Sequence, residues 1–127
     1  MPPREGRCVY VIDDDSAVLE STAFLLDALG YEHRTFGGAG AFLAELDSLP
    51  PGCILTDLRM PAIDGWDLAA ELGGRKLGWP MLLVTSDTGP DLAARARDHG
   101  FAALLPKPVD AALLTAALDR AFAGSAA

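Results

Sequence analysis

The chain has 127 residues, half of them apolar and 22% charged, and its 18 acidic and 10 basic side chains leave a net charge of −8. That size suits one domain, residues 1–127 with a core at about 7–123, large enough to need no covalent staple. The charge has the wrong sign for binding nucleic acid through its phosphates, no apolar run approaches the roughly 20 residues that span a bilayer, and MPPREGRCVYV lacks a signal-peptide layout; a cytoplasmic domain without direct nucleic-acid or membrane contact is expected.

Apolar, β-branched-rich segments alternate with helical patterns along the whole chain, the signature of an α/β fold with a parallel sheet covered on both faces. The first strand is expected over Arg7–Asp13, and it runs straight into three consecutive carboxylates, Asp13, Asp14 and Asp15. A helix over Ser16–Leu29 follows, with Val18, Thr22, Leu25, Leu26 and Leu29 at helical spacing and Gly30 as its stop. The second strand is read at Glu32–Phe36. The second helix, near Ala39–Asp47, is weakened at its start by Gly37 and Gly38, directs Phe42, Leu43 and Leu46 inward, and is blocked by Pro50 and Pro51.

Gly52–Asp57 and Pro80–Thr85 contain the continuous apolar runs CILTD and MLLVT, as expected of strands buried on both faces. Between them a third helix begins after Gly65, with Trp66, Leu68, Ala69 and Leu72 inward, and dissolves in GGRKLG. The fourth helix, about Pro90–His99, is only weakly amphipathic. A fifth strand at Phe101–Leu105 and a fifth helix at Asp110–Phe122 complete the pattern, the helix with Leu113, Leu114, Ala117, Leu118 and Phe122 in register and the tail AGSAA frayed. Cys8 and Cys53 open apolar strands and read as buried free thiols; Trp66 and Trp79 read as packing; His33 and His99 share no ligand spacing with the cysteines and read as solvated.

Five such pairs make a flavodoxin-like (βα)5 three-layer sandwich, its five parallel strands in the order 2-1-3-4-5. An open sheet of this kind takes its ligand beyond the carboxyl ends of the strands, where strand order reverses. Strand one ends in Asp13 and Asp14, strand three in Asp57, strand four in Thr85 and Ser86, and Lys107 follows strand five. With strands one and three adjacent, three carboxylates meet and cannot all remain ionised without a cation. Oxygen-only ligands open to solvent suit Mg²⁺, which keeps several waters and works with phosphate oxygens; Mn²⁺ is the alternative. Asp15 is left as a solvent-facing or helix-capping residue. Lys107 and Thr85 add an ammonium and a hydroxyl on the far side, so the set suits a tetrahedral dianion, with Asp57 as the acceptor carboxylate.

The segments VIDDD, LTDLRMPAIDGWDL, LLVTSD and LPKPV, in this order across nearly the whole chain, resemble the receiver domain of bacterial two-component response regulators, and the TDLRMP wording is most like receivers of the nitrogen-fixation regulator type. The resemblance implies that Asp57 takes a phosphoryl group from a sensor histidine kinase or phosphotransfer protein, and that Asp13, Asp14, Asp57 and the backbone carbonyl of Arg59 hold the metal. It further implies that Lys107 pairs with the phosphoryl group, that Thr85 swings in to bond it, that the Lys107–Pro108 peptide is cis, and that Arg59 and Asp87 tune the lifetime of the phosphorylated state. The product would switch an output domain or effector protein through the face of the fourth helix, fifth strand and fifth helix, with phosphorylation-dependent homodimerisation on that face as a further expectation. One position departs from the pattern: Leu104 stands where such receivers usually carry Tyr or Phe.

Three other functions fit less well. An aspartate-dependent phosphatase needs D-x-D-x-[TV], which Asp13, Asp15 and Ala17 break; a flavodoxin needs a phosphate cradle after strand one, where three aspartates would repel one. An interaction module that no longer takes phosphate would not need the intact acceptor set. A signalling acceptor rather than an enzyme is therefore expected.

Overall fold

The computed structural model describes residues 4–125. Five strands, β1 (Arg4–Ile12), β2 (Tyr31–Phe36), β3 (Gly52–Asp57), β4 (Met81–Thr85) and β5 (Ala103–Pro106), alternate with helices α1 (Ser16–Leu29), α2 (Ala39–Glu45), α3 (Gly65–Gly74), α4 (Leu92–Asp98) and α5 (Ala111–Ser125). All pairings are parallel and the sheet order is β2-β1-β3-β4-β5, as the alternation of apolar runs and helical patterns implies. Parallel neighbours need crossovers, and α1 to α4 supply the four, while α5 follows the last strand.

Strand pleating divides the core into two layers. Tyr10, Ile12, Ile54 and Leu83 face one side, where they meet Phe42, Leu68, Leu72 and Ala96 of α2, α3 and α4. Val9, Val11, Leu55, Leu82 and Val84 face the other and meet Leu26 of α1 with Leu114 and Leu118 of α5. Every residue of β3 and of β4 is buried, which is why those strands read as uninterrupted apolar runs. Cys8 and Cys53 are buried free thiols on opposite layers, and burial pushes the Cys53 thiol up to about 12.

α1 has the expected bounds. Asp15 caps it by accepting from the N–H groups of Ala17 and Val18, and Gly30 ends it in the left-handed region at φ 84°, a conformation that costs glycine nothing. Elsewhere the boundaries move. β1 begins at Arg4 and ends at Ile12, β2 begins at Tyr31, β4 begins at Met81, and β5 is shifted to Ala103–Pro106; Pro106 is tolerated because β5 lies at the sheet edge. α2 ends at Glu45 and tightens into a 3₁₀ turn over Leu46–Ser48, α3 runs on through Gly73 and Gly74, α4 shortens to seven residues, and α5 continues through Gly124 to Ser125 instead of fraying at Ala123. The last two residues of the tail, 126–127, lie outside the described residues.

Two helical faces are also corrected. Leu113 is 49% exposed, lining an open hollow beside Ala103 and Leu105 of the edge strand, and Leu43 is only half-buried. Phe24 on the outer side of α1 is 77% exposed. Neither histidine is simply solvated: His33 Nε2 lies 2.7 Å from Asp27, and the His99 ring packs 4.6 Å from that of Trp66. Both tryptophans pack as expected, Trp79 stacking on Tyr10 at 5.7 Å.

Candidate functional site

The carboxyl ends of β1, β3, β4 and β5 open on one edge, and each delivers a polar group there. Asp13 follows β1 directly and stays in line with the sheet, its N–H donating to the Phe36 carbonyl at 3.1 Å. Asp57 and Thr85 are the last residues of β3 and β4, and Lys107 follows β5 with its N–H donating to the Thr85 carbonyl at 3.0 Å. Sheet pairing thus fixes where each side chain starts.

Carboxylate oxygens of Asp13, Asp14 and Asp57 lie within 4.8 Å of one another. Asp13 and Asp57 are only 3% and 7% exposed, whereas Asp14 is exposed. Lys107 Nζ bridges the buried pair, 3.0 Å from Asp13 Oδ2 and 3.2 Å from Asp57 Oδ1. One ammonium for three carboxylates leaves the edge negative, so the donor set fits a small hard divalent cation.

The electrostatics follow from that imbalance. Burial, and then the charge of Asp13, push the Asp57 carboxyl above its ordinary range; Lys107 and the Leu58 N–H, which donates to Asp57 Oδ1 at 2.8 Å, oppose them in part. Burial alone would lower the Lys107 ammonium, but its bonds to Asp13 and Asp57 outweigh this and raise it. Burial and the like charge of Asp13 thus outweigh the relief that Lys107 and the Leu58 N–H give the Asp57 carboxylate. Its Oδ1 serves the Leu58 N–H and Lys107, which leaves Oδ2 outside those bonds.

The loop after β3 closes back on Asp57. The Gly65 N–H donates to the Leu58 carbonyl at 2.8 Å, and a Cβ on Gly65 would stand 2.9 Å from the Asp57 carbonyl oxygen and 3.1 Å from Leu58 Cα. Only glycine permits this approach, which explains the G of MPAIDG. Asp64 then caps α3 through a box with Asp67. The Lys107–Pro108 peptide is cis, as expected.

Asp13, Asp14, Asp57, Thr85 and Lys107 stand together at this edge, while Arg59 is placed by its side chain, which pairs with Asp87. Asp15 lies apart from the carboxylate cluster as the α1 cap, and its N–H donates to Asp13 Oδ1 at 2.9 Å, orienting that carboxylate. Thr85 is buried, and its Oγ1 accepts the Asp87 N–H at 3.0 Å. Two features were not foreseen. Arg59 and Asp87 form an ion pair at 2.7 Å that joins the β3 and β4 loops. Beside Lys107, Ser86 and Pro108 help line a hollow of about 430 Å³ against Val18, Thr22 and Leu25 of α1. Opposite charges two residues beyond Asp57 and Thr85 were the available signal for the ion pair; no local pattern announces the hollow.

Comparison with known proteins agrees with this geometry. The response regulator receiver domain profile matches residues 9–119. The transcriptional regulatory protein FixJ of Azorhizobium caulinodans is 43% identical over 122 residues, 96% of this chain and 58% of that protein; FixJ of Bradyrhizobium diazoefficiens is 38% identical over 114 residues, 90% of this chain and 56% of that protein. The chain thus spans little more than half the length of these relatives. Among solved structures, full-length FixJ from B. japonicum superposes with a TM-score of 0.88 at 35% identity, covering 98% of this chain and 60% of that one; the FixJ-N structure gives 0.83 at 31% identity, covering 91% and 92%.

Proposed function

The chain belongs to the response regulator receiver domain family of two-component systems, and on that premise we propose that it is a phospho-acceptor switch whose acceptor is Asp57. The observation that carries this reading is the cluster itself: three carboxylates within 4.8 Å, two of them bridged by Lys107 at 3.0 and 3.2 Å, at the end of an otherwise apolar sheet. Asp13, Asp14, Asp57 and the backbone carbonyl of Arg59 would hold Mg²⁺, or Mn²⁺ in its place. The metal supplies charge neutralisation for the incoming phosphoryl oxygens.

The chain's own residues do the rest. Asp57 Oδ2 attacks phosphorus of a histidine kinase's phosphohistidine; the P–N bond breaks as the P–O bond forms, and the imidazole leaves with the electron pair. Lys107 then exchanges its contact with Asp57 for one with the phosphoryl group, and Thr85 gives up the Asp87 N–H to donate its hydroxyl there. The work is that of a signalling acceptor, with no separate substrate to turn over. By analogy with relatives described as transcriptional regulators, the output is control of transcription by a domain or effector outside this chain, addressed through α4, β5 and α5, where a phosphorylated homodimer would also form.

The Arg59–Asp87 pair lies over the same edge and, in this reading, sets how readily water reaches the acyl phosphate; substituting either residue changes the dephosphorylation rate.

Intact mass after incubation with a small phosphodonor and Mg²⁺ tests the proposal. One phosphoryl adduct is expected, absent in Asp57→Asn and in metal-free protein. A folded parent that takes no adduct overturns it.

A further inference from the structure

α4 has seven residues, and Ala96 is its one buried residue. Helices this short do not persist in water on propensity alone, so tertiary contacts must hold it. Asp91, the residue that precedes it at the N-cap, makes no side-chain cap bond. Directed contacts gather instead at its last turn, on Trp66 of α3.

The Arg95 guanidinium carbon lies 4.7 Å from the Trp66 ring centroid, the His99 ring 4.6 Å from it at a 38° tilt, and Phe101 meets the same indole edge-on at 6.0 Å. His99 Nδ1 lies 2.8 Å from the Arg95 carbonyl oxygen; since a carbonyl only accepts, Nδ1 carries the hydrogen and the ring is held in place against the indole. Asp91 and Asp98 stand four residues before and three after Arg95, the usual positions for helical ion pairs. Even so, among the described residues the Arg95 guanidinium has no carboxylate partner and sits over the indole. In a chain of net charge −8, that choice of partner is specific.

The other end of α4 leads to the acceptor edge. Thr85 Oγ1 accepts the N–H of Asp87, which belongs to the segment joining β4 to α4, and the Asp87 carboxylate pairs with Arg59. A Thr85 hydroxyl drawn toward a group on Asp57 releases the head of that segment, while the stack on Trp66 holds the tail of α4. Leu104, half-buried on this side of the sheet, offers no ring to follow the threonine. The aromatic of the domain body that grips α4 is Trp66.

We infer that Trp66, Arg95 and His99 form a latch that holds α4 in its resting position, so that occupation of the Asp57 site works against this stack and breaking the stack favours the occupied state. The inference rests on the phospho-acceptor reading above. It assigns to Trp66 a positioning role, through α4, that the acceptor chemistry itself does not need.

Replacing Trp79 by Phe leaves Trp66 as the sole tryptophan, because the chain has two. Beryllium fluoride with Mg²⁺ serves as a phosphoryl mimic, its affinity read by calorimetry and the stack by Trp66 emission. The mimic is expected to change Trp66 emission in the Trp79→Phe protein and to change it far less once Arg95→Ala and His99→Ala are added. The triple variant should bind the mimic about 3- to 10-fold more tightly, the size expected of a lost cation–π contact in a two-state equilibrium. Arg95→Lys, which keeps a cation, should stay within about twofold of the parent. Equal or weaker affinity in the triple variant overturns the latch and leaves the acceptor reading standing. A folded Trp79→Phe protein that binds the mimic no better than its Asp57→Asn counterpart overturns both.

Discussion

α1 and α4 both leave the acceptor edge and both cover the sheet, yet they are held in opposite ways. α1 runs for 14 residues, starts on the Asp15 cap, ends on Gly30 in the left-handed region, and buries Thr22 and Leu26. α4 runs for seven, has no side-chain cap bond, buries only Ala96, and has Arg95 and His99 of its C-terminal end against the Trp66 indole. A helix satisfied at both ends and anchored along its length resists local opening; one with fewer buried contacts opens at lower cost. α1 follows the aspartate cluster at the end of β1, and α4 follows Thr85 at the end of β4.

The largest expected effect tests that contrast directly. Leu26→Ala should cost roughly 2–5 kcal/mol of folding stability, because it empties a fully buried site, whereas Leu92→Ala in α4 should cost about 1 kcal/mol. Urea unfolding of the two variants compares them, and equal losses would break the distinction.

A second prediction concerns the edge between the two helices. The folded protein holds the Asp57 proton to higher pH than the unfolded chain does, so the folded state binds the extra proton and stability falls as pH rises from the ordinary 3.8 through the raised value. Asp57→Asn removes that cost. Above this window, in EDTA, the variant should be more stable than the parent by on the order of 1 kcal/mol, a rise in melting temperature of a few degrees; below it the difference should vanish. Mg²⁺ should narrow the gap by stabilising the parent. A parent already more stable than Asp57→Asn in EDTA at neutral pH would remove the argument for a strained acceptor.

The smallest effect sharpens the comparison at the helix starts. Asp15→Ala should destabilise by about 1 kcal/mol through the lost cap, and Asp91→Ala should stay within about 0.5 kcal/mol, since no cap bond is lost. Thermal melts under identical ionic conditions read both.

Much of the fold was legible because its signals are local. CILTD and MLLVT are apolar throughout since both faces of β3 and β4 are covered, and Val18, Thr22, Leu25 and Leu29 repeat at helical spacing because one side of α1 faces the sheet. Leu113 misled for the same reason: it has the right period, but it lies over the open sheet edge at β5, and periodicity does not record where a sheet ends. Likewise the seven-residue α4 offers too few turns for its face to be read.

At the site, the sequence alone determined which residue types stand at the strand ends, and with the strand order this was enough to bring Asp13, Asp14, Asp57, Thr85 and Lys107 to one edge. Only the tertiary structure decided their pairings: Lys107 with Asp13 as well as Asp57, Thr85 Oγ1 with the Asp87 N–H, Arg59 with Asp87, and Arg95 with an indole on another helix rather than a carboxylate on its own. The physical reason is one of range. Hydrophobic spacing and capping act over a few residues and leave a mark in the sequence, whereas a contact between side chains many residues apart depends on where the crossovers and loops place each backbone, and no local pattern records that.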